Sequence, residues 1–405
     1  MSSPLPALWP NRVSACVAVS FVVVALAGCG GGGGGSSSNP PSPPVLSDAA
    51  KLGEQIFADT SLSASGKMAC ATCHDPAFAH SQSNSLPVQS GGVNLDVPGF
   101  RAVPSLNYLE KTPSFYFASD GTPTGGFDRD GRTNTLTDQA ERPFLAAHEM
   151  ANGTAADVVA NLQNATYAAE FQRVFGSDVF SNSATAFLRM RQALERYERE
   201  DADFHPYNSK YDAFLAGKAT LTDAETRGFA LFQNPLKGNC SGCHPSSRGS
   251  DGSAPLFTDF TYDNLGLPRN AAIAANADAT YRDLGLCGPE RTDLANRRDL
   301  CGAFKVPTLR NVATRKVIFH NGAFASLKEA ITFYVQRDTN PDKWYPPAAT
   351  GGSDKFNDLP PDLAGNVNTV EVPYDRKAGE APALSDSEVD DVITFLQTLT
   401  DGYTP

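Results

Sequence analysis

The sequence predicts a mainly α-helical chain, built from two tandem copies of one module with long loops and little strand. Three observations carry that expectation. The stretches "LSDAAKLGEQIFAD" from Leu46 and "LTDAETRGFALFQN" from Leu221 share Leu, Asp, Ala, Gly and Phe in register, which marks an internal duplication. Each is followed by Cys-x-x-Cys-His: Cys70, Cys73 and His74 in "MACATCHDPAFAH", then Cys240, Cys243 and His244 in "GNCSGCHPSS". Helix-cap signals recur along the chain, whereas strand signals are scarce.

The chain begins with segments outside that plan. Arg12 precedes the apolar run "VSACVAVSFVVVALAG", which is too short to span a bilayer comfortably and reads as the core of an export signal. Leu26, Ala27, Gly28 and Cys29 form the small-residue-then-cysteine pattern of a bacterial lipoprotein cleavage site. Residues 1–28 are therefore expected to be a lipoprotein signal peptide, with Cys29 acylated after cleavage; a signal cut elsewhere is the alternative. Residues 29–45, including "GGGGGGSSSNPPSPP", read as a Gly/Ser/Pro linker that cannot build a core.

The two modules are expected over residues 46–215 and 216–405. In the first, Ser47 caps a helix whose apolar residues recur at helical spacing as far as Phe57. In the second, Thr222 and Glu225 form a capping box, and the apolar spacing runs to Phe232. Near the end, "LSDSEVDDVITFLQTLT" repeats the cap with Ser385 and Glu388 and places Val389, Val392, Ile393 and Leu396 on one stripe. That terminal helix is expected to pack across the first helix of its own module.

Composition restricts the partners. The chain has 405 residues, 41% of them hydrophobic, enough for well-formed cores. Its net charge of -12 argues against nucleic acid or an anionic membrane surface, since both need clustered Lys and Arg. Membrane contact is expected only through the lipid anchor. Basic protein partners stay open.

Eight cysteines can all be assigned. Cys16 lies in the signal, Cys29 is the lipid site, and four belong to the two motifs. Cys287 and Cys301 remain, and in an oxidising exported compartment a disulfide is the simplest assignment; two buried thiols are the alternative. Zinc would need a second ligand pair near each motif, and neither has one. A dithiol redox pair leaves the following His without a use. Haem c explains every position: each thiol adds to one vinyl group, and the adjacent His ligates iron.

The sixth iron position then decides between electron transfer and chemistry. No Met follows the second motif, so an in-domain Met ligand is excluded there. His320 and Tyr334 are the downstream candidates, and residue type alone favours His320.

"GKMACATCH", "DGRTNTLTDQAERPFLAAHEM", "GNCSGCH" and "FKVPTLRNVATRKVIFHNGAFASLKEAI" resemble the bacterial dihaem cytochrome c peroxidase and MauG superfamily. The resemblance implies two cytochrome c-like haem domains and a peroxide site on the first. It shifts the second axial ligand from His320 to Tyr334, where the peroxidases carry Met and MauG carries Tyr. It places Glu149 as the distal carboxylate, with Gln139 and Pro143 on matching pocket positions. His80, His148 and Met150 are candidates for a resting sixth ligand of the first haem.

Two departures accompany the match. Arg129 stands where the family has the tryptophan between the haems, leaving Phe127 as a nearby aromatic; Trp344 is the only Trp beyond the signal. Ala102 and Arg315 stand where the family has Asn and Thr at a calcium site, which puts that ion in question and suggests a guanidinium in place of its charge. The implied function is a periplasmic, lipoprotein-anchored peroxidase. It would use hydrogen peroxide to reach a high-valent dihaem state and oxidise a protein electron donor or a partner protein's aromatic residue. The alternatives are a non-enzymatic dihaem electron carrier and a haem-based redox sensor, the latter without an output domain.

Overall fold

Capping and apolar spacing set the first helix of each half. In the computed structural model, which describes residues 45–405, Ser47 accepts from the Ala50 amide and opens α1 (Asp48–Ala58). The expectations for Cys16, Cys29, the signal and nearly all of the linker lie outside the described residues. The first half closes with α2 (Ser183–Glu200), capped by Asn182. In the second half Thr222 and Glu225 form the capping box of α3 (Asp223–Gln233). Two more helices matter for the site, α4 (Leu327–Gln336) and α5 (Asp386–Gln397), and Ser385 with Glu388 boxes the start of α5.

Two crossings organise the cores. Gly53 of α1 lies so close to α2 that an added Cβ would sit 2.1 Å from the Ala193 carbonyl oxygen, with Tyr197 Cβ next to it. At the matching position of α3, a Cβ on Gly228 would sit 1.9 Å from the Asp391 carbonyl oxygen, beside Phe395 Cβ. The missing side chains let each pair of helices meet backbone to backbone, so α1/α2 and α3/α5 are the same crossing built twice. One apolar cluster forms around α1 and α2 and draws on residues from Leu52 to Phe204; the other forms around α3 and α5 and draws on Tyr211 to Leu399. Burying each large apolar side chain in them is worth roughly 1.5–3 kcal/mol.

Three details differ from the sequence expectation. On α5, Phe395 is fully buried and Ile393 only partly, because the buried stripe runs through Val389, Val392, Phe395 and Leu396. The helix Lys210–Leu215, placed by sequence in the first half, contributes Tyr211, Phe214 and Leu215 to the second core. The described residues, 45–405, also pack as one compact unit. Joining contacts include Arg101, which bridges Asp130 and Asp283 at 2.8 and 2.6 Å, and the Tyr262 hydroxyl, which donates to the Gly125 carbonyl.

Strand is confined, among the described residues, to three antiparallel pairs of two-residue strands. Cys287 and Cys301 form a disulfide.

Candidate functional site

Each Cys-x-x-Cys-His motif follows its capped helix through a short loop and coils into one tight turn. Cys70–Cys73 is a single α turn with His74 as its C-cap; Cys240–Gly242 is a 3-10 turn followed by Cys243. The three-residue spacing puts both thiols of a motif on one side of the turn. The His74 ring presents Nδ1 to the His80 carbonyl at 3.0 Å, and the His244 ring presents Nδ1 to the Phe257 carbonyl at 2.7 Å. A carbonyl can only accept, so Nδ1 carries the proton and Nε2 keeps its lone pair for a metal. Burial lowers the pKa of both imidazoles, His74 to about 4, which holds them in the neutral, ligating form.

The scaffold beneath each imidazole is duplicated as well. His80 and Phe257, the residues supplying those carbonyls, both have left-handed backbone, with φ of 50° and 53°. The Ser105 hydroxyl donates to the Ala79 carbonyl, and the Thr308 hydroxyl donates to the Leu256 carbonyl. Pro104 and Pro307 add a second carbonyl near each Nδ1. The signal for this was in the sequence, as "VPSL" from Val103 and "VPTL" from Val306.

This arrangement corrects one candidate resting ligand, His80. The His80 carbonyl receives the His74 proton, while its ring stacks on Phe204 at 3.9 Å and pairs with Asn107 Oδ1 at 2.8 Å. It is therefore a core residue on the proximal side. Met150 is buried in the first core. His148 leans on Phe100, and its Nε2 lies 3.6 Å from Glu149 Oε1.

A third segment is duplicated as well. The bridge pairing Phe127 with Thr133 has its counterpart in Ile318 with Phe324, and the caps Thr135 and Ser326 start helices at Leu136 and Leu327. Laying Gly131 on Gly322 brings Arg129 onto His320 and Pro143 onto Tyr334. In the second module the helix α4 runs unbroken through Tyr334. In the first it is interrupted at Ala140, between Leu136–Gln139 and Glu141–Leu145. Pro143 has no N–H for the Gln139 carbonyl and fits only in the first turn of a new helix. A phenol thus stands in one copy where the other has a ring with no donor atom.

Charges around the motifs differ accordingly. Tyr334 feels Cys243 and Cys240, lies beside Asp263, and has Tyr374 at 5.8 Å between ring centroids. Burial raises its pKa, so ionising this phenol requires a cation facing it. In the first module the thiols of Cys70 and Cys73 feel Glu149 instead. Glu149 has one carboxylate oxygen, Oε2, sealed from solvent without a hydrogen-bond partner, and burial raises its pKa. His148, its neighbour in the chain, lines an open groove of about 640 Å³ together with Arg142 and Glu290. Arg142 is ion-paired with Glu290, which the disulfide-closed segment brings over from the second half. Gln139 ends the helix turn leading to Pro143. His320 is elsewhere: its ring stacks on Phe304 at 3.5 Å, among Asp283, Arg101 and Arg129.

A family model for di-haem cytochrome c peroxidase matches residues 47–220. The methylamine utilization protein MauG of Paracoccus denitrificans is 34% identical over 359 residues, covering 87% of this chain and 88% of that protein. The chain belongs to the dihaem cytochrome c peroxidase and MauG family. Among solved structures, the diheme peroxidase BthA from Burkholderia thailandensis superposes with a TM-score of 0.81 at 36% identity, covering 87% of this chain and 86% of that one. The cytochrome c551 peroxidase of Nitrosomonas europaea is 28% identical over 71% of this chain and 73% of its own length.

As a member of this family the protein is a hydrogen-peroxide-dependent dihaem oxidoreductase with haem cofactors. Its residues fit two such groups. Both motifs place a neutral imidazole with a free Nε2 next to a pair of thiols, and none of the four cysteines is in a disulfide. Burial raises three of these thiols, to about 12, 11 and 12 for Cys70, Cys73 and Cys240, which keeps them neutral.

Proposed function

We propose that this dihaem peroxidase holds haem c covalently at Cys70 and Cys73 and at Cys240 and Cys243, with His74 and His244 as proximal ligands. The first haem would react with hydrogen peroxide, and Tyr334 would cap the second. Bound haem supplies iron that exchanges electrons with peroxide and passes the oxidising charge to a donor. The observation carrying the division of labour is the Pro143/Tyr334 mismatch at one position of the duplicated scaffold.

The protein's own groups then have distinct tasks. Glu149 would take a proton from one oxygen of hydrogen peroxide at its unpartnered Oε2 and return it to the other, assisting heterolysis. The raised pKa of Glu149 brings its proton affinity closer to that of the reacting oxygens. Gln139 and Pro143 shape the space over the first haem, and Pro143 offers it no ligand. Tyr334, if it held the second haem as phenolate, would favour oxidised iron, which suits a store of oxidising charge better than a receiver of respiratory electrons.

The substrate class is a protein electron donor or an aromatic side chain of a protein partner, in keeping with the MauG and cytochrome c551 peroxidase relatives. The expected location is the periplasm, with Cys29 as lipid anchor; no helix among the described residues is long and apolar enough to cross a membrane. Electron paramagnetic resonance of the ferric protein, before and after one equivalent of hydrogen peroxide, tests the proposal. One high-spin and one low-spin haem, with the high-spin signal consumed, is the expected result. Two low-spin haems that ignore peroxide would point instead to an electron carrier.

A further inference from the structure

Between the two halves lies a pair of partly buried cations that the peroxide chemistry leaves unused. Arg129 Nε donates to the Ala102 carbonyl at 3.0 Å, and Arg315 Nη2 donates to the Val103 carbonyl at 2.7 Å. These are adjacent carbonyls, and the two guanidiniums are close enough to repel each other. The nearby acids are already committed: Asp130 and Asp283 to Arg101, and Asp128 and Asp130 to Arg132. Burial pulls Arg129 down to about 9 and Arg315 to about 10, and no carboxylate is in ion-pair contact with either among the described residues. Lys305 adds a third partly buried cation, its Nζ on the Gly126 carbonyl at 2.5 Å. Two like charges side by side, partly withdrawn from water and without a carboxylate partner, call for an anion.

The position indicates which anion. Val103 precedes Pro104, whose carbonyl faces His74 Nδ1, and the Arg315 charge reaches the His74 ring. Haem c attached through its vinyl groups retains two propionate carboxylates, and a guanidinium is the side chain that pairs with a carboxylate through two parallel N–H bonds. We propose that Arg129 and Arg315 form the binding site for haem propionates between the two modules, with guanidinium charge in place of a calcium ion. The site depends on haem being held at Cys70, Cys73 and His74.

Haem content is measured first, by the absorbance of the alkaline pyridine complex, so that a failure of the haem reading shows itself before the site is tested. Spectroelectrochemical titration then compares the wild-type holoenzyme with Arg129→Met, Arg315→Met and the corresponding Lys variants. Each Met variant should retain two haems and favour the oxidised form of one haem about tenfold more, equal to about 59 mV for one electron. It should also gain a pH-dependent potential on the acidic side as the unpaired propionate takes up a proton, and Lys should restore part of both properties. Unchanged potentials and pH profiles in both Met variants would overturn the proposal. A potential that follows added phosphate would assign the pair to a free anion and overturn it. A haem spectrum altered by calcium chelation and restored by calcium would do the same. If the Met variants fail to accumulate, the wild-type resonance Raman spectrum decides: the propionate bending band should shift in D2O, and an insensitive band would count against the site.

Discussion

The two haem modules share one scaffold and differ at single positions. Ser47 matches Thr222, Gly53 matches Gly228, His80 matches Phe257 through its carbonyl, and Thr135 matches Ser326. Then Pro143 replaces Tyr334, and the buried Glu198 of α2 stands where α5 carries Leu396. The proximal side is duplicated because backbone carbonyls and helix crossings build it, and these tolerate changes of side chain. The other side diverges at the position where one copy has the phenol of Tyr334 and the other has Pro143, and on the proposed function that one side chain decides whether iron has a sixth ligand. A duplicated fold can therefore hold two identical groups in different chemical states.

The comparison can be broken most sharply at Glu149. Glu149→Gln should slow the reaction with hydrogen peroxide by about 100-fold or more, seen by stopped-flow absorbance, and leave the low-spin haem signal unchanged. A loss below tenfold would show that the carboxyl does not carry the proton.

Making the modules alike is the next test. Pro143→Tyr should place a phenol over the first haem, convert the high-spin signal to low-spin, and cut peroxide reactivity at least tenfold while both haems remain attached. In the reverse direction, Tyr334→Phe should change only the low-spin signal and spare the initial peroxide reaction. An unaltered low-spin spectrum would remove Tyr334 as a ligand.

The shared scaffold makes smaller predictions. Gly53→Ala and Gly228→Ala should each lower stability by roughly 1–3 kcal/mol, because the new Cβ meets backbone rather than a side chain that could move. Thermal unfolding followed at the Soret band and by circular dichroism measures this, and a cost confined to one glycine would mean the crossings are not equivalent. The smallest effect concerns Glu198, whose pKa is pushed up to about 8 by burial, with Glu195 adding repulsion. The folded state holds this proton more tightly than the unfolded chain, so the carboxyl favours folding at acid pH, and that benefit falls as pH rises from about 4.5 toward 8. Glu198→Leu, which copies the second module, should flatten the decline in melting temperature between pH 5 and pH 8.

Much of this was legible in the residues alone. Covalent spacing and capping are short-range properties, so Cys70–His74, Cys240–His244 and the helices after Ser47, Thr222 and Ser385 could be read without coordinates. Family resemblance supplied Glu149 and Tyr334, because nothing local distinguishes a distal carboxyl from a surface one. The chain stretch "VPSL" and its partner "VPTL" held the proximal scaffold in plain view, although their spacing from each motif differs between the halves.

By itself the sequence determined the kind of cofactor, the duplication and the cap of each helix. Tertiary structure alone decided that His80 lies below His74, that Pro143 and Tyr334 occupy one position, and that Arg129 meets Arg315 across the two halves. The physical reason is range. Hydrogen bonds between near neighbours are written in adjacent letters, whereas burial and charge balance depend on segments far apart in the chain that only folding brings together.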